Sequence, residues 1–133
     1  MSNRLGVAGI AIFISYLITP IAYAQRPYSD EHQRCYDNVD QSGMKRSQWA
    51  ACDHAELQKL EAELTNQYVQ LEKTLDVDAL VALSNARASW LIFRDSWCKY
   101  EETAPIAPGG IANYSNCMLE TTQRQIELVK SMY

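Results

Sequence analysis

Leu57-Gln58-Lys59-Leu60-Glu61-Ala62-Glu63-Leu64-Thr65-Asn66-Gln67-Tyr68-Val69-Gln70-Leu71-Glu72-Lys73-Thr74-Leu75 decides the fold class. Its apolar positions 57, 60, 64, 68, 71 and 75 recur at steps of three and four, as one face of an α-helix requires. Glu56, Lys59, Glu63, Gln67 and Gln70 take the other faces. No proline or glycine interrupts the run back to Ser47, which is a candidate cap. A helix from there to Leu75 would be about 43 Å long at 1.5 Å per residue.

Working outward, Asp76-Val77-Asp78 breaks the pattern, and either aspartate can accept hydrogen bonds at a new helix start. A second long helix is expected from Asp78 to Glu102, with Leu80, Leu83, Ala86, Trp90, Phe93 and Trp97 as its stripe and Leu91 and Tyr100 widening it. So short a turn makes the two helices an antiparallel hairpin. Ala104-Pro105-Ile106-Ala107-Pro108-Gly109-Gly110 ends the helix in a rigid, irregular loop. A last helix from Asn113 to Ser131 turns Cys117, Thr121, Leu128 and Met132 toward the others. On the N-terminal side, Ser29-Asp30-Glu31 can cap a short helix through Cys35 and Tyr36, and Asp40-Gln41-Ser42-Gly43 reads as a turn. No stretch alternates long enough for a strand, so the expected fold is all-α.

The first 24 residues are expected to be a signal peptide. Arg4 gives a basic start and Leu5 to Thr19 an apolar run. Pro20 leads into Ala22-Tyr23-Ala24, a small-x-small cleavage site before Gln25. The run is short and interrupted for a membrane span of about 20 residues, which leaves an uncleaved anchor as the weaker alternative. Residues 25–133 then form one domain in an oxidising space, periplasmic or secreted, with no membrane attachment after cleavage. This part carries 11 basic against 16 acidic residues, a net charge of −5 with both histidines neutral. That balance argues against nucleic acid and is compatible with a basic protein partner.

Cys35, Cys52, Cys98 and Cys117 all follow the cleavage site, and an even count in a small exported chain reads as two disulfides. Four cysteines allow three pairings. Cys35–Cys52 and Cys98–Cys117 are favoured because each closes a short loop, stabilising the fold by roughly 3 kcal/mol apiece. Zinc would ask for a C-x-x-C or H-x-x-x-H spacing that the chain lacks, and no other cofactor is indicated. Cys35 follows His32-Gln33-Arg34, which is no lipobox.

Neither His32 nor His54 stands in a triad or metal spacing, and His54 reads as a solvated surface residue. The carboxylates are spread along helix faces, where solvation or i,i+4 pairing is their ordinary fate. No serine lies in a nucleophile motif and no glycine-rich phosphate loop precedes a helix, so an enzyme is not expected. Trp90, Phe93 and Trp97 are expected in the core, whereas Trp49, at the start of the first long helix, is harder to place. Arg94-Asp95, beside Cys98, reads as a lock tying the loop to a helix through the planar guanidinium fork.

The segment Trp90-Leu91-Ile92-Phe93-Arg94-Asp95-Ser96-Trp97-Cys98 resembles the W-L-x-[YF]-R-D-x-x-C signature of the lysozyme-inhibitor LprI-like N-terminal domain family. Cys35-Tyr36-Asp37-Asn38 is similar to that family's C-x-D-N/A opening, and Cys52 stands where its first long helix carries a cysteine. Leu64 to Tyr68 resembles its L-N-x-x-Y step, Gly109-Gly110 its Gly-Gly-Ser loop, and Cys117 with Thr122 its closing C-x-x-x-x-T helix. Thr65, Arg87, Ile111 and Gln125 depart from the residues common there. The resemblance covers nearly all of residues 25–133 and implies a small exported bacterial helical protein. Lysozyme inhibition is described for the lipoprotein that names the family. Two functions follow as expectations. One is a binding protein that inhibits lysozyme or a related muramidase through a rigid Pro105–Asn116 segment held by Cys98–Cys117, with Ile111, Asn113, Tyr114 and Asn116 as contacts. The other is a structural or accessory envelope protein that docks a partner through its helical hairpin.

Overall fold

The computed structural model describes residues 28–40 and 45–133; the expected signal peptide and most of the turn at 40–43 lie outside them. The described chain forms α1 (Asp30–Asp37), α2 (Arg46–Glu72), α3 (Val77–Thr103) and α4 (Ile111–Lys130), with no strand among the described residues. Ser29 caps α1 by accepting the His32 N–H at 3.2 Å, and Asp30 and Glu31 suit the positive end of its dipole. Asp76 caps α3 through the Ala79 N–H at 2.9 Å. Ser47 caps nothing, because α2 begins a residue earlier after Lys45 with no side-chain cap.

α2 and α3 run antiparallel: Glu61 of α2 meets Arg94 of α3, and Tyr68, further along α2, meets the earlier Arg87. α4 packs on both, more extensively on α2, while α1 lies on α2. The main core joins Leu60, Leu64, Tyr68 and Leu71 of α2 to Leu119, Ile126 and Val129 of α4, with Leu57, Leu75, Leu83 and Trp90 at its edge. The two disulfides are Cys35–Cys52, between α1 and α2, and Cys98–Cys117, between α3 and α4. The second sits in a small core of its own with Met118, flanked by Leu57 and Tyr114.

The α2 stripe is buried as its spacing requires, with one correction: Glu56, expected on an outer face, is buried. The α3 stripe is not the core. Trp90 is half-buried, while Phe93 is 54% and Trp97 47% exposed. The inward row is Leu83, Arg87, Trp90, Arg94 and Cys98, displaced by one residue at three of its five positions, and one residue turns a helix by about 100°. Cys98 and Arg94 set that rotation, because both are tied into α4. On α4 the same thing happens: Thr122, Ile126 and Val129 face inward, and Leu128 and, just past the helix end, Met132, both expected inside, are exposed.

Candidate functional site

Asp53 and Glu56 extend the α2 leucine stripe toward its N-terminus, and at 1% and 3% exposure they are as buried as the leucines. Buried carboxylates need hydrogen-bond donors, and these come from three directions. Asp53 Oδ1 accepts from the Tyr36 hydroxyl at 2.7 Å and meets His32 Nε2 at 2.9 Å, both on α1; Oδ2 accepts from the Ser115 hydroxyl of α4 at 2.6 Å. Glu56 accepts from the backbone N–H and the hydroxyl of Ser29, each at 2.6 Å, with Lys59 Nζ 3.3 Å away. Burial pushes the Glu56 carboxyl up, but the Ser29 and Lys59 hydrogen bonds outweigh it and hold it below the usual carboxylate range. Burial, aided by Asp53, raises the Tyr36 phenol. Burial with Glu120 and Asp53 nearby pushes Tyr28 up to about 12.

This cluster places a serine, a histidine and an aspartate together, a grouping that sequence reading missed. The signal available was the position of Asp53 and Glu56 on the continuation of a buried stripe. Ser115 donates to Asp53 rather than to the His32 ring, so the serine–histidine contact of a catalytic triad is not made. The cluster instead fastens α1 onto α2 and α4. His54, by contrast, is exposed on α2.

Arg94 is buried, with Nη1 donating to Glu61 Oε1 at 3.0 Å and Thr122 Oγ1 at 3.1 Å, and Nε donating to Asp95 Oδ1 at 3.1 Å. Its guanidinium lies 5.1 Å from the Trp90 ring centroid. The side chain therefore joins three helices, and the loop has a different anchor. That anchor is Asn113, 6% exposed: its Oδ1 accepts the Gly109 N–H at 2.9 Å, and its Nδ2 donates to the carbonyls of Ile106 at 3.1 Å and Glu101 at 3.3 Å. Gly109 and Gly110 take φ of +83° and +61°, and a Cβ on Gly109 would stand 3.3 Å from the Ile106 carbonyl oxygen, so a side chain there is strained.

Of the four expected contact residues, Asn113 is thus turned inward as the loop's brace. Ile111 and Asn116 are exposed and Tyr114 is half-buried, all on the first turns of α4 rather than in the loop. Ile106, at the loop apex and 56% exposed, is an apolar knob that sequence reading passed over. Two grooves flank these turns. One, of about 470 Å³, is walled by Tyr36, Trp49, Glu101, Ile106, Pro108 and Asn116. The other, of about 340 Å³, lies along His54, Leu57, Ile111, Tyr114 and Met118.

On α3, Phe93, Trp97 and Tyr100 make an exposed aromatic row, with centroids 6.3 and 5.5 Å apart, and Trp97 Nε1 donates to Glu101 Oε1 at 2.7 Å. Among the described residues no cluster of three His, Cys, Asp or Glu side chains is placed to hold a metal ion, and no helix is long and apolar enough to cross a membrane.

No curated protein and no solved structure matches the chain. The family model of lysozyme inhibitor LprI matches residues 35–128, from the first cysteine of α1 to the last turns of α4. That span is well over half of the chain and contains both disulfides, the Arg94 junction and the braced loop. The chain belongs to the lysozyme inhibitor LprI family.

Proposed function

We propose that the protein is an exported binding protein that inhibits a lysozyme-type muramidase through its 105–116 segment, with its signal peptide removed after Ala24 and without enzymatic activity of its own. The observation that carries this reading is the braced loop. Asn113 holds it by three hydrogen bonds, Cys98–Cys117 backs it, and the apolar side chains of Ile106 in the loop and Ile111 at the start of α4 are left exposed. A segment ordered before binding loses little entropy when it docks, which favours tight insertion. The net charge of −4 for the whole chain suits a basic enzyme by raising the encounter rate.

The test is lysozyme turnover titrated with oxidised, purified protein at low and at physiological salt. Saturable inhibition that weakens with salt is the expected result, and a twin Ile106→Ser, Ile111→Ser variant should lose most of it. Unchanged turnover at micromolar excess in low salt would overturn the reading. A second reading, an accessory envelope protein that docks a partner through the helical hairpin, is supported by the exposed aromatic row Phe93, Trp97 and Tyr100. It calls for a crosslinked partner whose capture survives the Ile106 and Ile111 changes.

A further inference from the structure

The larger groove has a chemistry of its own. Two of its walls are aromatic, Tyr36 from α1 and Trp49 from α2, and the loop supplies Ile106 and Pro108. Its polar side chains include Glu101 from the end of α3 and Asn116 from α4, and among the described residues no cation lines it, the Arg46 guanidinium lying near Gly109 of the same loop. Glu101 is held in place on both sides: its Oε1 accepts from the Trp97 indole, and its backbone carbonyl accepts from Asn113. Its second carboxylate oxygen has no partner among the described residues. Asn116 uses Nδ2 to reach Glu120 at 3.2 Å, which leaves its carbonyl oxygen as an acceptor. The Tyr36 hydroxyl is spent on buried Asp53, so what Tyr36 can offer the groove is its ring.

Aromatic faces beside a fixed carboxylate and an amide oxygen, in an otherwise apolar groove, form a receptor for a flat cation. A guanidinium stacks on indole and phenol faces and directs its in-plane N–H groups at oxygen acceptors. A lysine ammonium, a compact and strongly hydrated point charge, uses neither the plane nor the fork as well. We infer that this groove receives an arginine side chain of the basic partner, with Trp49 and Tyr36 as stacking walls and Glu101 and Asn116 as acceptors. The inference rests on the inhibitor reading for the identity of that partner, and it adds the anchor beside the loop: Ile106 enters the partner while the partner's arginine enters the groove.

The test uses the whole oxidised protein with 15N-labelled tryptophans, read through the three indole N–H signals in NMR. The probe is acetyl-arginine amide, and acetyl-citrulline amide is the uncharged control of the same shape. The expected result is a saturable shift of Trp49, with Trp97 following through Glu101 and Trp90 unmoved. Citrulline should do far less, and Glu101→Gln should weaken the arginine response about tenfold, as loss of a charged hydrogen-bond partner does. Asn116→Ala, on an exposed position, should weaken it by a smaller factor. Equal responses to arginine and citrulline, indifference to Glu101→Gln, or no saturable Trp49 shift would each overturn the inference.

A lysozyme titration of the same variants separates the two claims. Arginine binding without lysozyme inhibition leaves the groove standing and removes the inhibitor reading. Inhibition that survives Glu101→Gln undiminished, with no arginine response, does the reverse.

Discussion

α2 and α3 are of equal length and carry large apolar side chains at the same helical spacing, yet only α2 buries its stripe. On α2 the leucines and Tyr68 meet α4 along most of the helix. On α3 the only buried residues are Arg94 and Cys98, while Phe93, Trp97 and Tyr100 stand in a row outside. The difference teaches that periodicity locates an apolar stripe but does not say which row faces the neighbour. On α3 that choice is made by a covalent bond and a guanidinium, and the aromatic row is left for other uses.

The largest expected effect breaks the comparison directly. Leu64→Ala on α2 should destabilise the fold by about 2–5 kcal/mol, the usual cost of a cavity in a closed core. Phe93→Ala on α3 should cost less than about 1 kcal/mol, since more than half of the residue's surface is already in water. Denaturant unfolding of the two variants checks this, and equal losses would mean that α3 is covered in the native protein by something that hides its aromatic row. Next in size is the pin that sets the rotation of α3. Replacing Cys98 and Cys117 together by serine should cost roughly 3 kcal/mol. It should also loosen α3 about its axis, moving the Trp97 fluorescence, while the matching change at Cys35 and Cys52 leaves that signal in place.

The division between what sequence conveys and what it hides follows the same line. The helices are legible because their spacing, the Ser29 and Asp76 caps and the Pro-Gly loop are local, and local chemistry decides them. The two disulfides are legible because both close short spans. Arg94 is singled out by its motif, but its partners Glu61 and Thr122 are 33 and 28 residues away, so the helices it would join do not show in its neighbourhood. Asn113 is an ordinary asparagine until the loop folds around it. Asp53 and Glu56 look like solvated carboxylates until α1 and α4 bring Ser29, His32, Tyr36 and Ser115 to them.

A pair of aspartates sharpens the comparison at a smaller scale. Asp53→Ala on α2 removes the acceptor shared by three groups on two other helices and leaves Ser115 only the Ala112 carbonyl, for a loss of about 2 kcal/mol. Asp95→Ala on α3 removes one contact of Arg94 from an exposed position and should stay within about 0.5 kcal/mol. Comparable losses from the two would mean that Arg94 depends on Asp95 for its placement rather than on Glu61 and Thr122.

The smallest effect concerns pH, and it separates the two sides of α2 by the kind of group that fastens them. α3 is tied to α2 by Arg94, which donates to Glu61. α1 is tied to α2 by the Cys35–Cys52 disulfide and, around Ser29, by the Glu56 carboxyl, which titrates. Glu56 has its carboxyl held below the ordinary 4.5, so its share of stability is present above that value and is lost as pH falls through the lower folded one. Tyr28, which packs against the core beside α1, is raised from 10.0 to about 12; its share is intact below pH 10 and fades between 10 and about 12, where the unfolded chain ionises first. Hydrogen exchange at the Ser29 amide should therefore accelerate at acid pH before the amides near Arg94 respond. Phenolate absorbance should show a tyrosine that ionises only near pH 12. Glu56→Gln should flatten the acid arm and leave the alkaline one. Simultaneous acid loosening around Ser29 and Arg94 would show that α1 is no separate latch but melts with the whole bundle.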